Sequence, residues 1–137
     1  MKKILFIAHA FHPSTNANAK RSFLTAKACL EKGWYVDVLA SGIGLPVKAE
    51  EAFPDLRNFR VFRLKDPLWQ LHNWISGRKT WFWKGVNALL LALSWPDLAI
   101  FWVLKAAWWL RNKKYDAVVC SIHPKSVLLL PFLLKWL

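Results

Sequence analysis

Three short stretches of this chain hold the side chains that could do chemistry. The first runs from His9 to Arg21 and contains His12, Asn16, Asn18, Lys20 and Arg21. The second is Ser121-Ile122-His123-Pro124-Lys125-Ser126. The third, residues 67–95, interleaves Trp69, Trp74, Trp81 and Trp83 with Arg78, Lys79 and Lys84. Asparagine amides both donate and accept hydrogen bonds, while lysine and arginine attract anions. A helix that starts among such residues adds its free N–H groups. Together these suit a ligand rich in hydroxyls and phosphate. His123 carries an imidazole that can take up a proton near neutral pH, which makes it the candidate catalytic base. The plainer reading stands beside each of these: Asn16 and Asn18 cap a helix and shape a turn, and His123 bonds to nearby backbone. No carboxylate or thiolate joins His9 and His12 at ligand spacing, so no metal site is expected. Spacing alone leaves open which of His9, His12 and His123 faces a ligand.

The elements that must position these residues follow from periodicity. Lys2 to His9, with the apolar run Ile4–Ala8 at its centre, reads as a buried strand. A helix is expected to about Lys32, with Ala19, Phe23, Ala26 and Leu30 on its inner face and Gly33 as its stop. Tyr35–Ser41 reads as the next strand. Residues 42–46 form a turn-rich connection, and 50–55 face solvent. Phe59–Leu64 alternates apolar and basic residues, which predicts a half-exposed strand near a sheet edge. Ser94 or Asp97 caps a helix that runs from Asp97 to about Arg111; a buried strand follows at Tyr115–Ser121, and a last helix starts at Val127. This order predicts an α/β fold: a Rossmann-like parallel sheet flanked by helices, with an aromatic-rich helical insertion at 67–95. Sheets of this kind bind ligands beyond the carboxyl ends of their strands, where the first two stretches fall. A dinucleotide role ranks last, because the G-x-G-x-x-G fingerprint does not occur.

At 137 residues, one domain is expected. The net charge of +12, combined with 10 Trp and 9 Phe, suits nucleic acid, an anionic membrane surface or phosphorylated substrates. The charge is spread along the chain instead of gathered in blocks, which argues against nucleic acid. Cys29 and Cys120 have no ligand spacing and read as free thiols in a reducing compartment. The apolar run after Lys2-Lys3 is too short for a signal peptide. Residues 85–104 approach the length of a membrane span, but Pro96-Asp97 in their middle reads better as a helix start. The expectation is a cytoplasmic protein, peripheral on the inner face of the membrane, with Trp69, Trp74, Arg78, Lys79, Trp81, Trp83 and Lys84 on the membrane side. The same aromatic segment also fits a helix pair packed internally on the sheet.

The pattern as a whole resembles the N-terminal half of a GT-B glycosyltransferase of the family 4 type. Three passages carry the likeness: Ile4 to Pro13 with Asn16 to Arg21 and LEKGWYVDVLAS (30–41), Trp95-Pro96-Asp97 with its helix and Lys114 to Val119, and Ser121 to Ser126. Many relatives have a Gly-Gly pair in the first loop, where this chain has Asn16-Ala17-Asn18-Ala19. The resemblance implies a single domain over 1–137 that stops before its last strands, with the donor-binding C-terminal domain outside this chain. It implies sugar transfer from a nucleotide-sugar donor to a glycan or lipid-linked hydroxyl acceptor, with retention, without metal or cofactor, in the synthesis of surface polysaccharide or glycolipid. His12, Asn16, Asn18, Lys20, Arg21, Ser121 and His123 would then contact substrate. The alternative from another class is a non-catalytic module that binds a membrane surface.

Overall fold

The computed structural model describes residues 2–12, 14, 17–41, 57–78, 80–94 and 97–136. Four strands, β1 (Lys3–Ala8), β2 (Tyr35–Ser41), β3 (Phe59–Leu64) and β4 (Ala117–Cys120), form one sheet in the order β3-β2-β1-β4. All three pairings are parallel, with Phe6 opposite both Val38 and Val119, and Val38 opposite Val61. The fold is therefore α/β with an all-parallel sheet and flanking helices, as the element order predicted. The connections at 42–46 and 50–55 lie outside the described residues.

A parallel sheet needs cover on both faces, so its inner strands read as unbroken apolar runs. Ile4, Phe6 and Ala8 pack with Val36, Val38, Ala40 and Phe59 on one face. Helix α1 (Ala17–Glu31) covers that face with Ala19 and Ala26 buried and Phe23 and Leu30 partly so. Gly33 ends it at φ 74°, a left-handed turn that a Cβ would strain. On the other face, Leu5, Ile7 and Leu39 meet Trp102, Val103, Ala106, Ala107 and Leu110 of α4 (Ile100–Leu110). Val127 and Leu130 complete that layer. They come from a 3-10 turn, Lys125–Leu129, and from α5 (Leu130–Trp136). The last helix therefore begins in 3-10 form, two residues earlier than periodicity alone suggests.

The insertion is two helices, α2 (Pro67–Ser76) and α3 (Trp81–Leu93). Asp66 caps α2 by accepting the Trp69 N–H at 3.2 Å, and Pro67 fills its first position. Ser94 closes α3, its hydroxyl donating to the Leu90 carbonyl at 2.7 Å, so it does not start the following helix. Asp97 accepts the Ala99 N–H at 3.0 Å, and α4 proper begins at Ile100. No helix among the described residues is long and apolar enough to cross a membrane.

One carboxylate interrupts the apolar run of β2. Asp37 is buried, and its oxygens accept from Arg60 Nε at 3.1 Å and Tyr115 Oη at 3.0 Å, with Lys3 Nζ at 3.7 Å. This network ties β1, β2 and β3 to the segment entering β4. Burial, reinforced by the Asp37 charge and hydrogen bond, pushes the Tyr115 hydroxyl well above its ordinary range. A raised folded-state value stabilises fully below the unfolded tyrosine range and is lost as pH climbs through it, so this contribution fades above about pH 10. Tyr115→Phe is expected to cost about 1 kcal/mol at pH 7 in urea unfolding and to flatten the loss of stability above about pH 10. An unchanged alkaline slope would remove Tyr115 from that role.

Candidate functional site

The crevice lies where the chain order of the sheet reverses. Strands β1, β2 and β3 run outward in one direction, and β4 returns to the other side of β1. Loops leaving β1 and β4 must therefore diverge to opposite faces, opening a gap at their carboxyl ends. Hydrogen bonds hold the rim in register: Ser41 N–H donates to the His9 carbonyl at 3.0 Å, and Ser121 N–H to the Ile7 carbonyl at 2.8 Å.

In that gap the structure places a depression of about 200 Å³, floored by Phe6, Val119 and Cys120. Asn18, Arg21, Ser22 and Thr25 of α1 form one wall, and Ser121, Ile122 and His123 the other. Two stretches about a hundred residues apart in sequence thus meet, and Asn18, Arg21, Ser121 and His123 share one pocket. The lining contains one cation and no carboxylate, with amide and hydroxyl groups between them. Such a set suits an anionic or polyhydroxylated ligand. Ser22 and Thr25 follow from the helical spacing of Asn18 and Arg21, but that face reads as solvent-exposed until β4 is placed beside it.

The other expected residues fall elsewhere. His12 stacks near Phe23, with ring centroids 4.8 Å apart, and its carbonyl accepts from Arg63 Nη2 at 2.6 Å. Lys20 is exposed and outside the lining. Asn16 lies outside the described residues, as does Lys79. Trp74, Arg78, Trp81 and Lys84 are exposed and Trp83 half-buried, whereas Trp69 packs inward against His9 at 5.0 Å.

His9 does not open onto the pocket. Its ring is buried between Trp69 and Trp102, and Nε2 donates to Asp66 Oδ2 at 2.8 Å. Asp66 is fully buried and holds His9 with one oxygen and the start of α2 with the other. This pairing spans 57 residues, so local spacing cannot reveal it. A second carboxylate works similarly: Asp97 accepts the Ser126 hydroxyl at 2.6 Å and the Ser126 N–H at 3.0 Å, pinning the far end of the His123 loop. Beside that loop a wider depression of about 410 Å³ is lined by Trp69, Leu91, Leu98 and Pro124, with His123 and Lys125 at its polar side. His123 thus borders both depressions. Among the described residues no group of three His, Cys, Asp or Glu side chains is placed to hold a metal ion. Comparison with models of protein families, with curated proteins and with solved structures finds nothing that matches this chain.

Two expectations test this geometry. Burial pushes the Cys120 thiol up to about 11, so its alkylation at pH 8 should run about a hundredfold slower than in the unfolded chain. Mass spectrometry of iodoacetamide-treated protein, with and without urea, reads this directly. Asp66→Ala removes a helix cap and a buried partner together and should cost about 2–4 kcal/mol. Urea unfolding checks it, and a loss under 1 kcal/mol would show that His9 finds another acceptor.

Proposed function

We propose that this chain is the acceptor-side half of a GT-B glycosyltransferase, of the family 4 type that its sequence resembles. The observation that carries the reading is the shared pocket of Asn18, Arg21, Ser121 and His123 at the switch point of a parallel sheet. The edge of β4 supports it further: Val118 and Val119 are exposed, and β4 pairs only with β1 among the described residues, as suits a sheet that continues past this strand.

In this reading the donor diphosphate is held mainly by a second domain, and the present pocket forms the facing wall. Asn18 and Ser121 orient acceptor hydroxyls through hydrogen bonds. Arg21 supplies fixed positive charge where negative charge builds on the departing nucleotide diphosphate. His123, placed at the pocket mouth and exposed, takes the proton from the attacking hydroxyl. The net reaction forms a bond from the acceptor oxygen to the anomeric carbon and breaks the bond to the diphosphate, which leaves with its electron pair.

The test is genetic and then kinetic. Deleting the gene in its own organism should remove a glycan or glycolipid species from the envelope, and wild-type protein should restore it. His123→Ala should restore it poorly, with a rate loss of at least about a hundredfold. Asn18→Ala should raise the acceptor KM several-fold, about the worth of one hydrogen bond, while leaving donor KM unchanged. An unchanged envelope in the deletion strain would overturn the reading. Such an envelope, together with binding of the pure protein to vesicles, would favour the non-catalytic membrane module.

A further inference from the structure

The α2–α3 pair lies outside the rim pocket, and its surface carries large apolar side chains on neighbouring turns. Helix α2 buries only Ile75, and α3 buries no residue although it reads WFWKGVNALLLAL. Trp81 is 88 % exposed and Leu93 73 %, with Trp74, Phe82, Leu89 and Leu91 also outward. Soluble domains rarely leave so many large apolar side chains on neighbouring turns uncovered.

The charged residues on the pair are all of one sign. No Asp or Glu occurs between Asp66 and Asp97, a stretch that holds Arg78, Lys79 and Lys84. The guanidinium of Arg78 lies 3.7 Å from the centroid of the Trp74 ring and 4.7 Å from that of Trp83. The two indoles meet edge to face at 5.3 Å, and Phe82 continues the cluster at 5.4 Å from Trp83. His72 Nδ1 donates to Asn87 Oδ1 at 2.7 Å, locking the two helices together. The ion pairs among the described residues, on Asp37 and Asp66, do not involve Arg78. Among the described residues its guanidinium contacts the aromatic faces of Trp74 and Trp83, which orient it while its N–H edge remains able to bind an anion.

We propose that the α2–α3 pair is a docking surface for an anionic phospholipid bilayer. The Trp74–Arg78–Trp83 cluster sits at the level of the lipid phosphates, and Phe82, Leu89 and Leu93, which share one face of α3, enter the outer acyl region. Three facts select lipid over a protein partner. Indole and guanidinium together suit the headgroup zone, the acid-free stretch matches an anionic surface, and the whole chain carries a net charge of +12. Helix α3, at 13 residues, is about 20 Å long against a hydrocarbon core of about 30 Å, so it lies in the interface and does not span. The inference stands apart from the transferase reading, since it needs neither donor nor acceptor.

Flotation of the purified full chain tests it, using vesicles of phosphatidylcholine alone and with 30 % phosphatidylglycerol, at about 0.15 M salt. The protein is expected to float with the anionic vesicles and at least about fivefold more weakly with the neutral ones. Arg78→Gln should weaken anionic binding about fivefold. The combined change Trp81→Ser, Phe82→Ser and Leu93→Ser should weaken it more than tenfold to either vesicle, with circular dichroism unchanged because these side chains are exposed. Failure of the wild type to float overturns the proposal. So does equal flotation of the triple variant, or self-association without lipid that the same substitutions abolish, which would identify a second copy of the chain as the occupant.

Discussion

The structure depends on β1 being apolar on both faces at once. A strand with Leu5 and Ile7 on one side and Ile4, Phe6 and Ala8 on the other cannot stay in water on either. It must be central, it must be parallel to neighbours reached by crossovers, and helices must cover it from both sides. That requirement assigns α1 to one face and α4 to the other. It also sends the chain past β1 to β4, which creates the gap at the switch point. The pocket is thus a consequence of how a two-faced strand is buried, before any residue is chosen to line it.

Burial of this kind leaves few ways to fix loops at the rim, and the molecule uses carboxylates. Asp66 joins the end of β1 to the start of α2, and Asp97 joins the start of α4 to the His123 loop. Each accepts at least two hydrogen bonds and so meets much of the desolvation cost of its burial. Removing either acid strands N–H or O–H donors at the rim. The geometry of His123 relative to Asn18 and Arg21 therefore rests on acids that never touch the pocket in which those residues meet.

Much of the architecture was legible in the residue order. Strands β1, β2 and β4 stand out as largely apolar runs, and Phe59–Leu64 because its alternation marks an edge. Strand β4, however, reads as buried but is itself an edge strand among the described residues, with Val118 and Val119 exposed. Helix α1 was readable from Ala19, Phe23, Ala26 and Leu30. The joining of Asn18 and Arg21 with Ser121 and His123 followed from the rule that strand carboxyl ends meet. The roles of Asp66 and His9 did not show, because a partner 57 residues away leaves no local period. Asp66 before Pro67 is a local helix-start pattern, but its second role as the partner of His9 is not local. Trp69 also misleads: within the insertion it looks like its neighbours, yet it turns inward to His9 because it lies on the first turn beside Asp66.

The same contact decides where the exposed helices can sit. Since α3 has no fully buried residue, its position comes largely from α2, through the His72–Asn87 bond and the Trp74–Trp83 contact. Helix α2 in turn is anchored by Ile75, by Trp69 and by the Asp66 cap that holds His9. Apolar packing of Ile75 and Trp69 and hydrogen bonds to one buried carboxylate share this anchoring. Directional bonds set orientation more narrowly than non-directional burial does. A surface helix pair held this way keeps a defined angle to the sheet while leaving its apolar side uncommitted. The wider depression bordered by Trp69, Leu91 and His123 then lies between that pair and the rim, so the anchor that orients the helices also shapes one wall beside the candidate base.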